Sequence, residues 1–89
     1  MQTVSITVKG KVQGVFYRQS TKETASDLGI TGEVKNLSNG DVHIIATGTD
    51  LQLEKLTRWC KRGPEKAIVK EVIVETVSLQ QFEKFRVVR

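Results

Sequence analysis

The chain has 89 residues, enough for one compact domain and too few for a two-domain enzyme that carries its own cofactor-binding domain. Fourteen Lys and Arg against ten Asp and Glu give a net charge of +4, which favours anionic ligands only mildly because the basic residues are scattered. The single Cys60 excludes an intramolecular disulfide, and no apolar stretch is long enough for a signal peptide or a membrane span. We therefore expect a cytoplasmic protein with a single domain over residues 1–89.

The N-terminal segment has the pattern of a half-buried strand. Val4, Ile6 and Val8 alternate strictly with polar residues, which predicts a first strand with one buried and one wet face. The alternation stops at Gly10, and the stretch from Gly10 to Arg18 contains two glycines. This stretch is predicted to connect the strand to the next element.

Helical spacing follows this connection. The positions that share one helix face are Tyr17, Thr21, Thr24, Ala25 and Leu28. Gly29 followed by Ile30 predicts a left-handed C-terminal cap. The start of this helix has two interpretations, because Ser20 with Glu23 matches a capping box, whereas the helix could also begin one turn earlier, near Phe16.

Two short alternating segments predict a β-hairpin. Three residues share one face of each strand: Gly32, Val34 and Asn36 in the second strand, and Val42, Ile44 and Ala46 in the third. Ser38–Gly40 lies between them, and its Asn–Gly step is a strong signal for a tight turn.

A second helix is predicted after the hairpin, with Thr49 or Asp50 as its N-cap. Its apolar face carries Leu53, Leu56 and Cys60, with Trp59 beside it. Gly63 and Pro64 end this helix.

The rest of the chain predicts two further strands. A run of β-branched residues predicts a fourth strand over Ile68–Val77, and the polar Ser78–Lys84 connection leads to a short terminal strand over Phe85–Val88. This order of elements indicates an α+β fold, the ferredoxin-like split βαβ sandwich. Its antiparallel sheet has four strands plus the short terminal one, with both helices on one face. The fold hosts unrelated functions and does not by itself determine the chemistry.

The connection between the first strand and the first helix is the segment best suited to binding a ligand. Glycines allow a positive φ, so successive N–H groups of such a loop can point to one place, where the free amides of the helix N-terminus also point. Arg18 would add a charge-assisted, bidentate contact to an anion bound there. The alternative is an exposed Arg in an ordinary loop.

Asn36 is the second candidate. Alternation places it on the buried face of the second strand, where an amide costs free energy unless its polar atoms are paired. Asn36 could form part of the following turn, or it could hold a water molecule at the rim of the anion site.

Two segments of the chain resemble the signatures of the acylphosphatase family. The first comprises Gly10, Val12, Gln13, Gly14, Val15, Tyr17 and Arg18, and the second comprises Gly32, Val34, Lys35, Asn36, Gly40, Val42 and Gly48. The likeness continues through Gly63, Pro64, Ala67 and Phe85–Val88 and so spans nearly the whole chain.

The resemblance implies hydrolysis of the carboxyl–phosphate bond of acyl phosphates to a carboxylate and inorganic phosphate. In the family, backbone amides of the loop hold the phosphate, and here the matching residues are Gln13, Gly14, Val15, Phe16, Tyr17 and Arg18. The residue that matches Arg18 binds the phosphate through its side chain, and the one that matches Asn36 positions the attacking water. The family also favours a first helix that begins near Tyr17.

An acyl phosphate has a good leaving group, so this chemistry needs mainly an anion site and a placed water molecule. No metal, cofactor or covalent nucleophile is expected, and no metal-ligand cluster is visible in the sequence. His43 is expected on the solvent face of the third strand, and Cys60 on the apolar face of the second helix. We expect the substrate's own oxygen to accept the proton of the attacking water.

Two positions leave the consequences for activity open. Glu33 stands where the family commonly has an aromatic residue, which is expected to affect stability or substrate access rather than the chemistry. If Phe16 has a positive φ, its backbone is strained by ~1–3 kcal/mol; if φ is negative, its ring could wall the site.

Two other functions are compatible with this fold. A weakened family member could bind phosphate or a partner without turnover. A nucleic-acid-binding domain of the same fold would need aromatic residues on the open sheet face, and the predicted outward positions of the first and third strands carry none. We therefore expect a monomeric enzyme that binds a small acyl phosphate, and neither nucleic acid nor membrane.

Overall fold

The computed structural model describes residues 1–89 and contains five strands and two helices. The elements are β1 (Gln2–Lys11), α1 (Tyr17–Asp27), β2 (Thr31–Asn36), β3 (Val42–Gly48), α2 (Asp50–Arg62), β4 (Ile68–Val77) and β5 (Phe85–Val87). The predicted order of elements is confirmed.

The strands form one sheet in the order β4-β1-β3-β2-β5. The pairs β1–β3, β1–β4 and β2–β3 are antiparallel, and the register pairs Ile6 with Ile44 at the centre of the sheet. Both helices pack on one face of this sheet, so the predicted ferredoxin-like α+β sandwich is confirmed.

The sheet is not purely antiparallel, because the terminal strand β5 pairs with β2 in parallel. The chain reverses between β4 and β5 and crosses from one edge of the sheet to the other. The crossing segment is held by its Gln80 backbone, whose N–H donates to Thr3 Oγ1 (2.9 Å) and whose carbonyl accepts from Thr47 Oγ1 (2.6 Å). This crossing brings the C-terminal residues beside α1 and β2.

The core lies between the sheet and the helices. Ile6, Val8 and Ile44 are fully buried, as their alternation predicts, and the predicted α2 residues Leu53, Leu56 and Cys60 pack onto them. Full burial of such an aliphatic side chain stabilises the fold by ~1.5–3 kcal/mol. The sheet therefore provides a rigid base for the loops at its ends.

Helix α1 begins at Tyr17, so the interpretation with Ser20 as N-cap is wrong. The Ser20 amide donates to the Phe16 carbonyl (3.0 Å), a bond that places Ser20 inside the first turn. The predicted C-terminal cap is confirmed, since Gly29 has φ 80° and the Ile30 amide donates to the Ala25 carbonyl (2.9 Å).

Helix α2 has a complete capping box. Thr49 is its N-cap, the Gln52 amide donates to Thr49 Oγ1 (3.2 Å), and the Thr49 amide donates to Gln52 Oε1 (2.8 Å). The helix ends at Gly63, where φ is 69° and an added Cβ would lie 2.7 Å from Tyr17 Cε2. Gly63 thus permits both the end of α2 and its close contact with α1.

Candidate active site

An open cavity of about 360 Å³ lies between the β1–α1 loop (residues 12–16), the first turn of α1 and the C-terminal ends of β2 and β5. The residues that line it are Val12, Gly14, Phe16, Tyr17, Arg18, Gln19, Asn36, Val87 and Arg89. Arg18 and Asn36, which are 18 positions apart in the sequence, thus face the same space. No acidic residue and no histidine lines the cavity, so its side-chain charge is positive.

Two of the predicted phosphate-binding residues do not line this cavity. Gln13 Nε2 donates to the carbonyls of Leu37 (2.8 Å) and Asp41 (2.9 Å), so its side chain ties the β1–α1 loop to the β2–β3 hairpin. Val15 is 7% exposed and belongs to the hydrophobic core. Only the backbone N–H groups of these two residues remain for a ligand.

The backbone N–H groups from Gln13 through Gln19 donate to no acceptor in the chain. Gly14 and Phe16 have φ of 74° and 62°, whereas Val15 between them has a negative φ. Alternating handedness of this kind is typical of backbone nests, in which successive N–H groups line an anion-binding concavity. The free amides of the first helical turn continue this run of donors.

Phe16 is the one residue other than glycine with a positive φ, which answers the question that its sequence left open. A left-handed conformation at a bulky residue costs ~1–3 kcal/mol. The ring is 82% exposed and takes no part in the core, so packing of the ring does not offset this strain.

Arg18 has an unneutralised charge beside the free amides. Its guanidinium makes one contact within the chain, from Nη1 to the Val88 carbonyl (3.4 Å). The ion pairs of the protein join other residues: Lys9 with Asp41, Arg58 with Glu54, and Arg86 with Glu33. The remaining donors of Arg18 are therefore free to bind an anion.

Asn36 ends β2 opposite Val42, and its Oδ1 is buried without a hydrogen-bond donor. It is the one buried side-chain oxygen or nitrogen in the chain that lacks a partner. Such an atom costs ~1–3 kcal/mol when left unpaired. The turn contact comes instead from Asn39, whose Oδ1 accepts from the Asp41 amide (3.0 Å).

Tyr17 anchors the first turn of α1 to α2. Its hydroxyl donates to the Cys60 carbonyl (2.7 Å), and its ring centroid lies 5.4 Å from that of Trp59. Burial raises the pKa of this phenol far above its usual range, so the hydroxyl stays protonated. The contact fixes the position of the neighbouring Arg18 and the free amides.

Cys60 and His43 lie outside the cavity. Burial raises the pKa of the Cys60 thiol to about 12, so the reactive thiolate is not formed at neutral pH. His43 lies on the open sheet face, where its Nε2 and Ser5 Oγ are 2.8 Å apart.

The structure places no three His, Cys, Asp or Glu residues together as a metal-binding group. Neither α1 nor α2 has the length and apolar character required to cross a bilayer.

The cavity contains residues that sequence reasoning missed: Val12, Gln19, Val87 and Arg89. Arg89 brings a second positive charge to the side of the cavity next to β5. Its position depends on the parallel pairing of Val87 with Val34, which no local pattern in the C-terminal segment predicts.

These features define a class of protein: a small α+β sandwich whose cavity is lined by a loop with unpaired amides, a helix N-terminus, an arginine and a strand asparagine. The acylphosphatase family model matches residues 4–87. The chain belongs to the acylphosphatase family, whose members are hydrolases that act on acyl phosphates.

Relatives and solved structures agree with this assignment. The chain is 51% identical to an acylphosphatase of Marinobacter nauticus over 80 residues, which cover 89% of this chain and 87% of that protein. The structure of an acylphosphatase from Coxiella burnetii matches with a TM-score of 0.94 and 43% identity, covering 97% of this chain and 90% of the other. Acylphosphatase from Bacillus subtilis matches with a TM-score of 0.97 and 31% identity over the whole of both chains.

Proposed function

We propose that the chain hydrolyses acyl phosphates through direct attack of water on phosphorus, using Arg18, Asn36 and the amides of residues 13–19. The products are a carboxylate and inorganic phosphate, and no step requires a metal ion or a covalent intermediate. We propose that a monomer is sufficient, because one chain supplies the loop amides, Arg18 and Asn36 that this reaction uses. The free, buried Cys60 suits a reducing cytoplasmic compartment.

One observation carries this proposal: a continuous run of unpaired amides beside an unneutralised guanidinium, at a single cavity. A phosphoryl group has the matching chemistry, because its anionic oxygens accept several hydrogen bonds at once. Backbone N–H groups donate hydrogen bonds to the charged oxygens of such an anion, and Arg18 can donate two parallel hydrogen bonds to it. The same donors stabilise charge on the equatorial oxygens during transfer.

Asn36 supplies the acceptor for the nucleophile. Its buried, unpaired Oδ1 can accept a hydrogen bond from a water molecule and so hold the water oxygen toward phosphorus. The water oxygen forms the new bond to phosphorus while the bond to the carboxylate oxygen breaks, and the carboxylate leaves with the electron pair. Holding the water beside phosphorus makes its attack an effectively unimolecular step, and this lowers the barrier to the reaction.

The proton of the attacking water goes to the substrate. No Asp, Glu or His side chain lines the cavity, so no side chain there can serve as general base at neutral pH. An oxygen of the phosphoryl group or of the departing carboxylate accepts the proton, so both hydrogens of the water end on the products.

The test is release of carboxylate and phosphate from benzoyl phosphate above its spontaneous hydrolysis, with and without a metal chelator. We expect turnover that the chelator does not reduce, and competitive inhibition by inorganic phosphate. Arg58→Ala is the control for Arg18→Ala, since Arg58 is an exposed arginine on α2 that lies outside this cavity. Phosphate binding without turnover would identify a non-catalytic phosphate-binding module and overturn the proposal.

A further inference from the structure

Phe16 is an exposed aromatic residue that lines the cavity. The other exposed large hydrophobic residues lie elsewhere on the surface: Met1, Leu51, Ile68, Val74 and Leu79. With 82% of Phe16 exposed, the ring gains little from burial in the folded protein. It is thus an apolar surface placed beside the proposed anion site and free to contact a ligand.

The Phe16 ring does not contribute to the packing of the folded protein. Phe16 is absent from the core and from the residues packed against it, and the aromatic pair of the protein joins Tyr17 with Trp59. Its φ of 62° is one that glycine adopts without strain. A phenylalanine at this position therefore costs conformational energy without improving the packing.

The lining of the cavity has a polar part and an apolar part. Arg18, Asn36 and the free amides form the polar part, whereas Phe16 and Val87 contribute apolar side chains. An acyl phosphate has the same division, with an anionic phosphoryl group joined to a carbon-bearing acyl group. Because the Phe16 amide belongs to the run of free donors, its side chain starts at the edge of the proposed phosphate site.

We propose that the Phe16 ring contacts the acyl group of the substrate and makes the enzyme prefer aromatic or extended apolar acyl groups over acetyl. This inference rests on the proposed function, because it takes the phosphoryl group to be bound by the amides next to Phe16. A flat aromatic acyl group can stack on the ring or meet its edge, whereas an acetyl group covers little of it. Phe16 is then a specificity-determining residue, separate in role from Arg18 and Asn36.

The experiment measures kcat/KM for benzoyl phosphate and for acetyl phosphate in the wild type, in Phe16→Ala and in Phe16→Leu. The ratio of the two values is the readout, because any change in phosphate binding affects both substrates and cancels. We expect the benzoyl-to-acetyl ratio to fall about fivefold to tenfold in Phe16→Ala, or about 1–1.4 kcal/mol, and less in Phe16→Leu. Leu51→Ala, which changes an exposed hydrophobic residue outside the cavity, leaves the ratio unchanged.

Phe16→Gly guards against a folding defect, since glycine accommodates the left-handed conformation that alanine tolerates poorly. Its ratio falls as in Phe16→Ala while its melting temperature stays at or above that of Phe16→Ala. An unchanged ratio in both variants overturns the contact with the acyl group but leaves the proposed hydrolysis intact. A wild type that hydrolyses neither substrate overturns the proposed function itself.

Discussion

The Oδ1 atom of Asn36 combines a cost in stability with a proposed role in catalysis. The buried, unpaired Oδ1 is unfavourable for folding, and the same atom is the proposed acceptor for the attacking water. Unsatisfied polar groups in native structures often mark functional positions. The two roles can be separated, because stability and turnover respond in different directions when the carboxamide is removed.

Asn36→Ala is expected to lower kcat on the order of 10²-fold, since the water is no longer placed, while KM changes much less. Its melting temperature is not lowered, because the substitution also removes an unsatisfied buried group. Steady-state kinetics and thermal denaturation measure the two effects. Ser38→Ala, an exposed change in the neighbouring turn, serves as the control. A kcat equal to that of the wild type would remove Asn36 from the mechanism.

Arg18 is expected to act in both binding and turnover. Arg18→Ala removes a charge-assisted contact of ~1.5–3 kcal/mol, so kcat/KM falls by about 10-fold to 150-fold and inhibition by inorganic phosphate weakens in parallel. Arg18→Lys keeps the charge but loses the bidentate geometry, and its activity is expected to lie between those of Arg18→Ala and the wild type. An Arg18→Ala variant inhibited by phosphate as strongly as the wild type would show that the anion binds elsewhere.

At the scale of secondary structure elements, the β1–α1 loop depends on the β2–β3 hairpin. Gln13 Nε2 joins the loop to two carbonyls of the hairpin, and the Asp41 carboxylate on the same hairpin accepts from Lys9 Nζ (2.8 Å). The hydrogen bond with Asp41, and then its charge, raise the pKa of the Lys9 amino group. The hairpin that carries Asn36 and the loop that carries the free amides are therefore held in fixed positions.

Gln13→Ala removes both bonds of the Gln13 side chain and is expected to destabilise the fold by ~1–3 kcal/mol, at about 0.5–1.5 kcal/mol for each bond. KM for benzoyl phosphate rises because the free amides lose their fixed position. Chemical denaturation and steady-state kinetics measure these effects. Gln2→Ala breaks a single exposed bond to Asp50 and is the control. If Gln13→Ala lost stability but kept the KM of the wild type, the contact would be purely structural.

Local patterns predicted the elements: alternation predicted β1, β2 and β3, helical spacing predicted the two helices, and a run of β-branched residues predicted β4. The start of α1 was ambiguous, because Ser20 and Glu23 match a capping box that predicts a helix beginning at Ser20. The true N-cap is Phe16, and its residue type does not indicate the left-handed conformation that it adopts. The bonds of Gln13 span 24 and 28 positions, and the contribution of Arg89 depends on the parallel β2–β5 pair. Such contacts between distant segments depend on the assembled fold, and no short stretch of sequence encodes them.

For the molecule as a whole, the sheet separates the proposed chemistry from His43, the single histidine of the chain. The cavity lies at the end of the sheet beside α1, whereas His43 lies on the open face, flanked by Lys35 and Glu33. Burial first, and then the positive charge of Lys35, lower the pKa of His43 below its usual value of 6.5, while Glu33 acts in the opposite direction. The folded protein therefore disfavours the protonated form of this imidazole.

The pH dependence of stability follows from this shift. As the pH falls below about 6.5, the unfolded chain binds a proton at His43 before the folded chain does, so the free energy of unfolding decreases until the pH reaches the folded-state pKa. His43→Gln lacks this titration. As the pH is lowered from 7.5 to below the folded-state pKa of His43, the free energy of unfolding of His43→Gln is expected to rise relative to that of the wild type. Denaturant unfolding at a series of pH values measures the difference. Its kcat at pH 7.5 is expected to match that of the wild type, because His43 lies outside the cavity; a steep loss would make His43 the general base and refute proton transfer to the substrate.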